Sequence, residues 1–152
     1  MFYDVLMGNY ALVLAENVDD RAAYHRIRRE VLFEARGRID YIVDGPDELK
    51  PENLPLLLKY DGDPVGTVRL DQRPDGTAIV RLVAIVARLQ RRGHGKVLMD
   101  LVEGLAAARG TARLYVHAAP DAVGFYQRLG FTPHRFEDGA FDSVQLHKRI
   151  GS

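Results

Sequence analysis

Residues 79–98, IVRLVAIVARLQRRGHGKVL, constrain the chain more than any other stretch. An almost unbroken apolar run from Ile79 to Val86 stops at Arg88, and Val97, Leu98, Leu101, Val102 and Leu105 then recur at helical spacing. A short apolar run that changes abruptly to a period of about 3.6 reads as a buried strand, a tight loop and a helix. Gly93 and Gly95 remove side chains where the loop must turn and let a ligand reach the backbone. Peptide N–H groups at the mouth of a helix are unpaired and lie at its positive end, so the segment is a ready-made anion cradle. It is not the phosphate loop of nucleotide hydrolases, because Lys96 is followed by Val97 and no Ser or Thr is placed for Mg²⁺. Nor is it the dinucleotide fingerprint, which needs a third glycine and an acidic residue about twenty positions on.

A length of 152 residues suits one domain, residues 1–152, with a sizeable core. Lys and Arg number 21 and Asp and Glu number 21, so no overall field favours nucleic acid or an anionic membrane, and neither is expected as a partner. Arg88, Arg91, Arg92 and Lys96 nevertheless form a local basic patch beside the loop. The absence of cysteine excludes disulfides, thiolate nucleophiles and cysteine-ligated metals, and no metal site is expected. The N-terminal stretch MFYDVLMGNYALVLAEN has no basic start and is interrupted by Asp4, so it resembles neither a secretion signal nor a membrane span. A cytoplasmic enzyme or binding module is the expected class.

In chain order, Ala11 to Ala15 suits a strand, and Asp19 or Asp20 can cap a helix carrying Ala23, Ile27, Val31 and Ala35 up to Gly37. Residues 38–55 lack regular pattern and contain Gly45-Pro46, Pro51 and Pro55, a loop long enough to be functional or mobile. Leu56–Tyr60, the turn Asp61-Gly62 and Val65–Asp71 read as a hairpin, and Pro74-Asp75-Gly76 turns into a central strand, Ala78–Val86. The helix after the glycine loop runs to about Arg109. Arg113–His117 is a strand, Pro120-Asp121 opens a helix closed by Gly130, and Thr132–Phe136 with Val144–Leu146 end the chain as strands.

The fold class is therefore α/β, a mixed sheet flanked by helices. The spacing of Gln90, Gly93 and Gly95 resembles the Gln/Arg-x-x-Gly-x-Gly/Ala signature of the GCN5-related N-acetyltransferases (GNAT). A second pattern, Ala122, Phe125, Tyr126, Gly130 and Phe131, resembles that family's other cofactor motif, and the order of elements agrees over almost the whole chain. The resemblance implies two parallel strands, Ala78–Val86 and Arg113–His117, that splay apart to admit the pantetheine arm of acetyl-CoA. It places main-chain contacts to that co-substrate on Val83, Ala84 and Ile85, and the pyrophosphate on Gln90, Arg91, Arg92, Gly93, His94, Gly95 and Lys96. Arg91, Arg92 and Lys96 either add charge there or are solvated, and only the backbone of His94 is expected to matter.

The implied reaction is direct attack of an amine on the thioester. Tyr126 matches the tyrosine that serves as general acid and also contacts the co-substrate, and a backbone N–H at a strand bulge, that of Ile85 or its neighbour, would hold the oxyanion. The central strand has no glutamate, so His117 is the best substitute as base, ahead of Asp71, Glu34 or ordered water. Ala119 replaces an asparagine found in many members. Arg28, Arg29, Phe33 and Arg36 fall where the acceptor is built, and either bind an acceptor bearing a carboxylate or phosphate or cover the helix surface. His25, His134 and His147 read as structural or exposed. A small-molecule amine is the leading acceptor; a protein N-terminus or lysine, a non-catalytic acyl-CoA sensor and a nucleotide-binding protein are the rivals. Dimers are common among look-alike proteins, so a homodimer is one assembly to consider.

Overall fold

The computed structural model describes residues 4–43, 45–138 and 143–151. Eight strands form one sheet in the order β1-β2-β3-β4-β5-β6-β8-β7. The strands are β1 (Val5–Met7), β2 (Tyr10–Leu14), β3 (Asn53–Tyr60), β4 (Asp63–Gln72), β5 (Thr77–Ile85), β6 (Arg113–Ala118), β7 (Thr132–Pro133) and β8 (Val144–Arg149). All neighbours are antiparallel except β5 and β6. The expected element order holds, with β1 added as a short hairpin arm on β2.

Helices cover both faces, and β3 shows why its run of leucines has no polar side. Leu56 and Leu58 pack with Leu98, Met99 and Val102 of α2 (His94–Ala108), whereas Leu57 packs with Ala23, Tyr24 and Ile27 of α1 (Val18–Arg28). A strand buried on both faces reads as continuous apolar sequence rather than as alternation. The third helix, α3 (Val123–Arg128), is a short one held over β6 by Tyr126 and Phe131 in the larger core.

Two details of the first helix differ from expectation. Its N-cap is Asn17, whose side-chain oxygen accepts from the Asp20 N–H at 2.8 Å, so the acidic pair lies inside the first turn, where it complements the helix dipole. The α-helix also ends at Arg28. It widens into a π-turn at Arg29–Phe33, tightens to 3₁₀ at Glu34–Arg36, and stops at Gly37 with φ of 73°. Such π-turns collect at functional sites because the extra residue re-aims the side chains that follow.

The loop 38–55, expected to be functional or mobile, is pinned at described residues on both sides of position 44. It contains a 3₁₀ turn, Pro46–Leu49, and β3 already starts at Asn53. The Tyr41 hydroxyl bonds His25 Nδ1, and Glu48 is 8% exposed and bound by Arg28 and Arg69.

Candidate active site

Strands β5 and β6 pair at only four positions, Thr77 to Val80 with Arg113 to Val116. Beyond these, β5 continues to Ile85 beside β4 and β6 continues to Ala118 beside β8. Each strand keeps its outer partner and leaves its inner one. The cause is local: the β4–β5 register slips between Thr67 and Arg69, and Leu82 sits there with φ of 57°. A left-handed leucine costs about 1–2 kcal/mol, a strain that persists only where the surroundings impose it. The bulge thus falls at Leu82–Val83, earlier than Ile85 or its neighbour, where the sequence reading put it.

The parting strands open a cleft of about 720 Å³. Val83 of β5, His117 and Ala119 of the opposite strand end, and Tyr126 of α3 line it. The Tyr126 ring stacks edge-on against Phe125 and Phe131, and burial alone pushes its phenol up to about 12. It is therefore a protonated hydroxyl across the neutral range, with no protein hydrogen bond among the described residues.

Beside the cleft, the loop from Gln90 enters α2 with Arg91 at φ of 63° and Gly93 at φ of 90°. The first inward bond of the helix runs from the Val97 N–H to the Gly93 carbonyl at 3.2 Å. The N–H groups of Arg91 to Lys96 have no main-chain acceptor among the described residues. Gly95 serves packing as well: a Cβ there would lie 3.3 Å from Phe125 Cζ, so its bareness lets α3 close on the loop next to Tyr126.

Side chains of this loop act mostly on the protein itself. Gln90 Nε2 donates to the Ile85 carbonyl at 3.0 Å, tying the loop to the end of β5. Lys96 pairs with Asp100 at 2.9 Å on the helix surface, and Arg91 and Arg92 are exposed. His94 departs from expectation. Its ring is buried, with Nδ1 2.7 Å from the Tyr10 hydroxyl and Tyr60 beside it, so it fastens the loop to β2 and β3.

The other wall is ionic. Glu48 Oε1 meets Arg28 Nη1 at 2.7 Å and Arg69 Nη1 at 2.8 Å. Arg69 then clasps Asp71 through Nε and Nη2 at 2.7 and 2.9 Å, and Asp71 Oδ2 also takes Arg81 Nε at 3.0 Å. Arg81 Nη2 and His117 Nε2 both meet Glu137 Oε1, at 3.1 and 2.6 Å. The chain of alternating charge thus runs from α1 to β6 without a break. Burial pushes Glu48 and Glu137 up, but the arginines and, for Glu137, His117 overcome it and hold both below the usual glutamate range.

Of the residues expected on the acceptor side, Arg28 fits neither acceptor binding nor the helix surface. Arg28 is 4% exposed, locked to Glu48 and Tyr24, and does not reach the cleft. Arg29 lies outside the cleft as well, 3.8 Å from Glu34 at the surface. Phe33 and Arg36 do line it, because the π-turn intervenes between them and Arg28. Asp71 is consumed by two arginines and Glu34 is exposed, which leaves His117 alone among the bases considered as a cleft residue. Glu137 was not singled out by sequence; it lies in an irregular stretch, and only the fold carries it to His117. The alternation of Arg69 and Asp71 on β4, with Arg81 opposite Arg69, was the available sign of an inward charged row. His25 hydrogen-bonds Tyr41, and His134 stacks on His147 at 4.2 Å, both structural.

A mixed sheet whose one parallel pair parts beside a glycine loop is the fold of acyl-CoA N-acyltransferases. The chain belongs to the acetyltransferase (GNAT) family, which it matches over residues 17–131. It is 29% identical over 106 residues to a candidate acetyltransferase of Bacillus subtilis (strain 168), spanning 69% of this chain and 71% of that one. Its structure resembles a candidate N-acetyltransferase from Lactobacillus plantarum, with a TM-score of 0.80 at 21% identity, covering 94% and 99% of the two chains. An aminoglycoside 6′-N-acetyltransferase complexed with coenzyme A aligns with a TM-score of 0.71 at 15% identity, covering 91% and 96%. Among the described residues, no helix is long and apolar enough to cross a membrane.

Proposed function

We propose that the protein moves the acetyl group of acetyl-CoA to the amine of a small-molecule acceptor, with both substrates bound together. The observation that carries this reading is the parting of β5 and β6 after Val80 and Val116, beside a loop of bare amides and with Tyr126 on the cleft wall. The N–H groups of Arg91 to Lys96 suit a pyrophosphate, and the β5 edge at Val83 to Ile85, which lacks a β6 partner, suits the amides of a pantetheine arm.

The acceptor ammonium gives one proton to His117, and the freed amine attacks the thioester carbonyl carbon. A peptide N–H after the Leu82 bulge, with Val83 the nearest, stabilises the charge on the carbonyl oxygen. The carbon–sulfur bond breaks against the Tyr126 hydroxyl, sulfur leaves as the thiol, and the second nitrogen proton restores the phenol. The products are an amide, CoA thiol and one net proton. Holding amine and thioester in line supplies up to roughly 7–11 kcal/mol in favourable cases.

The pinned 38–55 segment supports a compact acceptor, since Asp47 and Arg38 line the cleft there. Arg36 is the cleft guanidinium without a protein ion pair or hydrogen bond among the described residues, so an anionic group on the acceptor would meet Arg36 rather than Arg28 or Arg29. A thiol-release assay over glycine, spermidine, tryptamine, kanamycin and an N-terminal peptide tests the proposal. Turnover with a small amine is expected. Binding of acetyl-CoA without thiol release from any acceptor supports a sensor instead, and stabilisation by ATP or NAD but not by CoA removes the acyl-transfer reading altogether.

A further inference from the structure

The carboxylate missing from β5 arrives from another part of the chain. We infer that Glu137 is a positioning residue that fixes the His117 ring with its proton on Nε2, leaving the Nδ1 lone pair to take the proton of the acceptor ammonium. This rests on the acetyl-transfer reading for the role of His117, and on the local geometry for the rest.

Glu137 Oε1 lies 2.6 Å from His117 Nε2. An ionised carboxylate only accepts, so the hydrogen between the two atoms belongs to Nε2. The opposite ring atom, Nδ1, is then the basic one. It lies 3.3 Å from Ser143 Oγ, and both residues line the cleft. A carboxylate behind the imidazole also stabilises the cation that forms when Nδ1 takes a proton, the same division of labour as in an acid–histidine pair activating a nucleophile.

The carboxylate is held from several sides. Gln145 stands opposite His117 in the β6–β8 register, and its carboxamide grips the backbone behind Glu137. Its Oε1 accepts from the Phe136 and Glu137 N–H groups at 2.8 and 3.0 Å, and its Nε2 donates to the Glu137 carbonyl at 2.7 Å. Phe136 stacks on Tyr115 at 4.4 Å and lies 4.9 Å from the His117 ring. Arg81, reaching across the split from β5, meets the same oxygen of Glu137 at 3.1 Å. Among the described residues, the charged groups facing the pair are thus Arg81 from β5, with Asp71 and Arg69 behind it, and Asp138 beside Glu137 on the cleft wall. Protons leave the ammonium for Nδ1 and pass to solvent through the cleft mouth; Glu137 keeps its charge throughout.

Nitrogen-15 NMR of the imidazole in the resting protein reads the ring tautomer without any acceptor. The wild type is expected to hold the proton on Nε2, Glu137→Ala to mix the two tautomers, and Glu137→Gln to keep Nε2–H through its side-chain oxygen. Gln145→Ala, which leaves the carboxylate but frees its backbone, is expected to reproduce part of the Glu137→Ala effect. With the panel amine that turns over, kcat should fall roughly 10- to 100-fold in Glu137→Ala, as when the partner that orients a functional histidine is lost, with Glu137→Gln recovering part of it. The Kd for acetyl-CoA should stay unchanged. An unaltered tautomer in Glu137→Ala overturns the inference. Wild-type turnover in His117→Gln overturns instead the assignment of His117 as base, and leaves the tautomer result standing.

Discussion

The cleft is flanked on its two sides by different material. On the α2 side, the Gln90–Lys96 loop offers peptide N–H groups, while three of its side chains are turned to internal work: Gln90 on β5, His94 on Tyr10, Lys96 on Asp100. On the α1 side, a row of side chains runs from Glu48 through Arg69, Asp71 and Arg81 to Glu137 and His117, each holding the next, and Arg69, Arg81, Glu137 and His117 line the cleft. A main-chain wall tolerates any side chain that leaves the backbone in shape. A side-chain wall changes its chemistry with each substitution. The first suits a constant co-substrate and the second a particular acceptor.

Five experiments sharpen or break that contrast. The largest effect is expected for Tyr126→Phe, which removes the hydroxyl proposed as proton donor: turnover should fall by about 10²–10⁴-fold, the span of general acid–base contributions. Affinity for acetyl-CoA should hold, as measured by calorimetry; retained turnover would make Tyr126 a packing residue only.

Glu48→Ala should come next, because it leaves Arg28 and Arg69 buried without their shared anion. Breaking a buried ion pair from one side costs about 3–5 kcal/mol. Thermal unfolding should then drop by roughly 10 °C, at about 2–4 °C per kcal/mol for a chain of this size. The same wall carries a pH signature. Glu48 and Glu137 are held below the usual glutamate range when folded, so their stabilisation is complete above the unfolded value and is lost as pH falls through the folded one. Wild-type stability, measured by denaturant titration, should decline below about pH 4.5, near the ordinary glutamate value. Glu48→Gln should start lower and decline less.

Gly93→Asp tests the main-chain wall. A side chain at φ of 90° strains the loop by about 1–2 kcal/mol, and its charge opposes the pyrophosphate. CoA affinity should fall about 100-fold, some 2.7 kcal/mol, while circular dichroism stays native. Unchanged affinity would remove the cradle from the site. The smallest effect is expected for Lys96→Ala, since an exposed helix pair such as Lys96–Asp100 is worth about 0.3–0.5 kcal/mol. A large loss of CoA affinity there would show that side-chain charge, not the backbone, holds the phosphate.

The contrast also explains which parts could be read in advance. The strand–loop–helix, the second glycine motif and the order of elements are local patterns: apolar period, glycine placement and turn residues act over a few positions. They located the glycine loop before α2, the two parting strands and the short helix that carries Tyr126. Arg28 was misjudged because a basic residue on a helix looks solvated or ligand-facing until its partner, Glu48, is brought twenty residues back to it. His94 was misjudged for the same reason, since Tyr10 lies 84 residues away.

By itself, the sequence determined a mixed α/β chain with a glycine loop at the start of its main helix, because backbone conformation follows from neighbours along the chain. The tertiary structure alone decided where β5 leaves β6, which arginines are spent on internal carboxylates, and that Glu137 comes to rest on His117. Those outcomes depend on long-range register and on the pairing of buried charges. In local spacing they leave only the alternation of Arg69 and Asp71 as a sign.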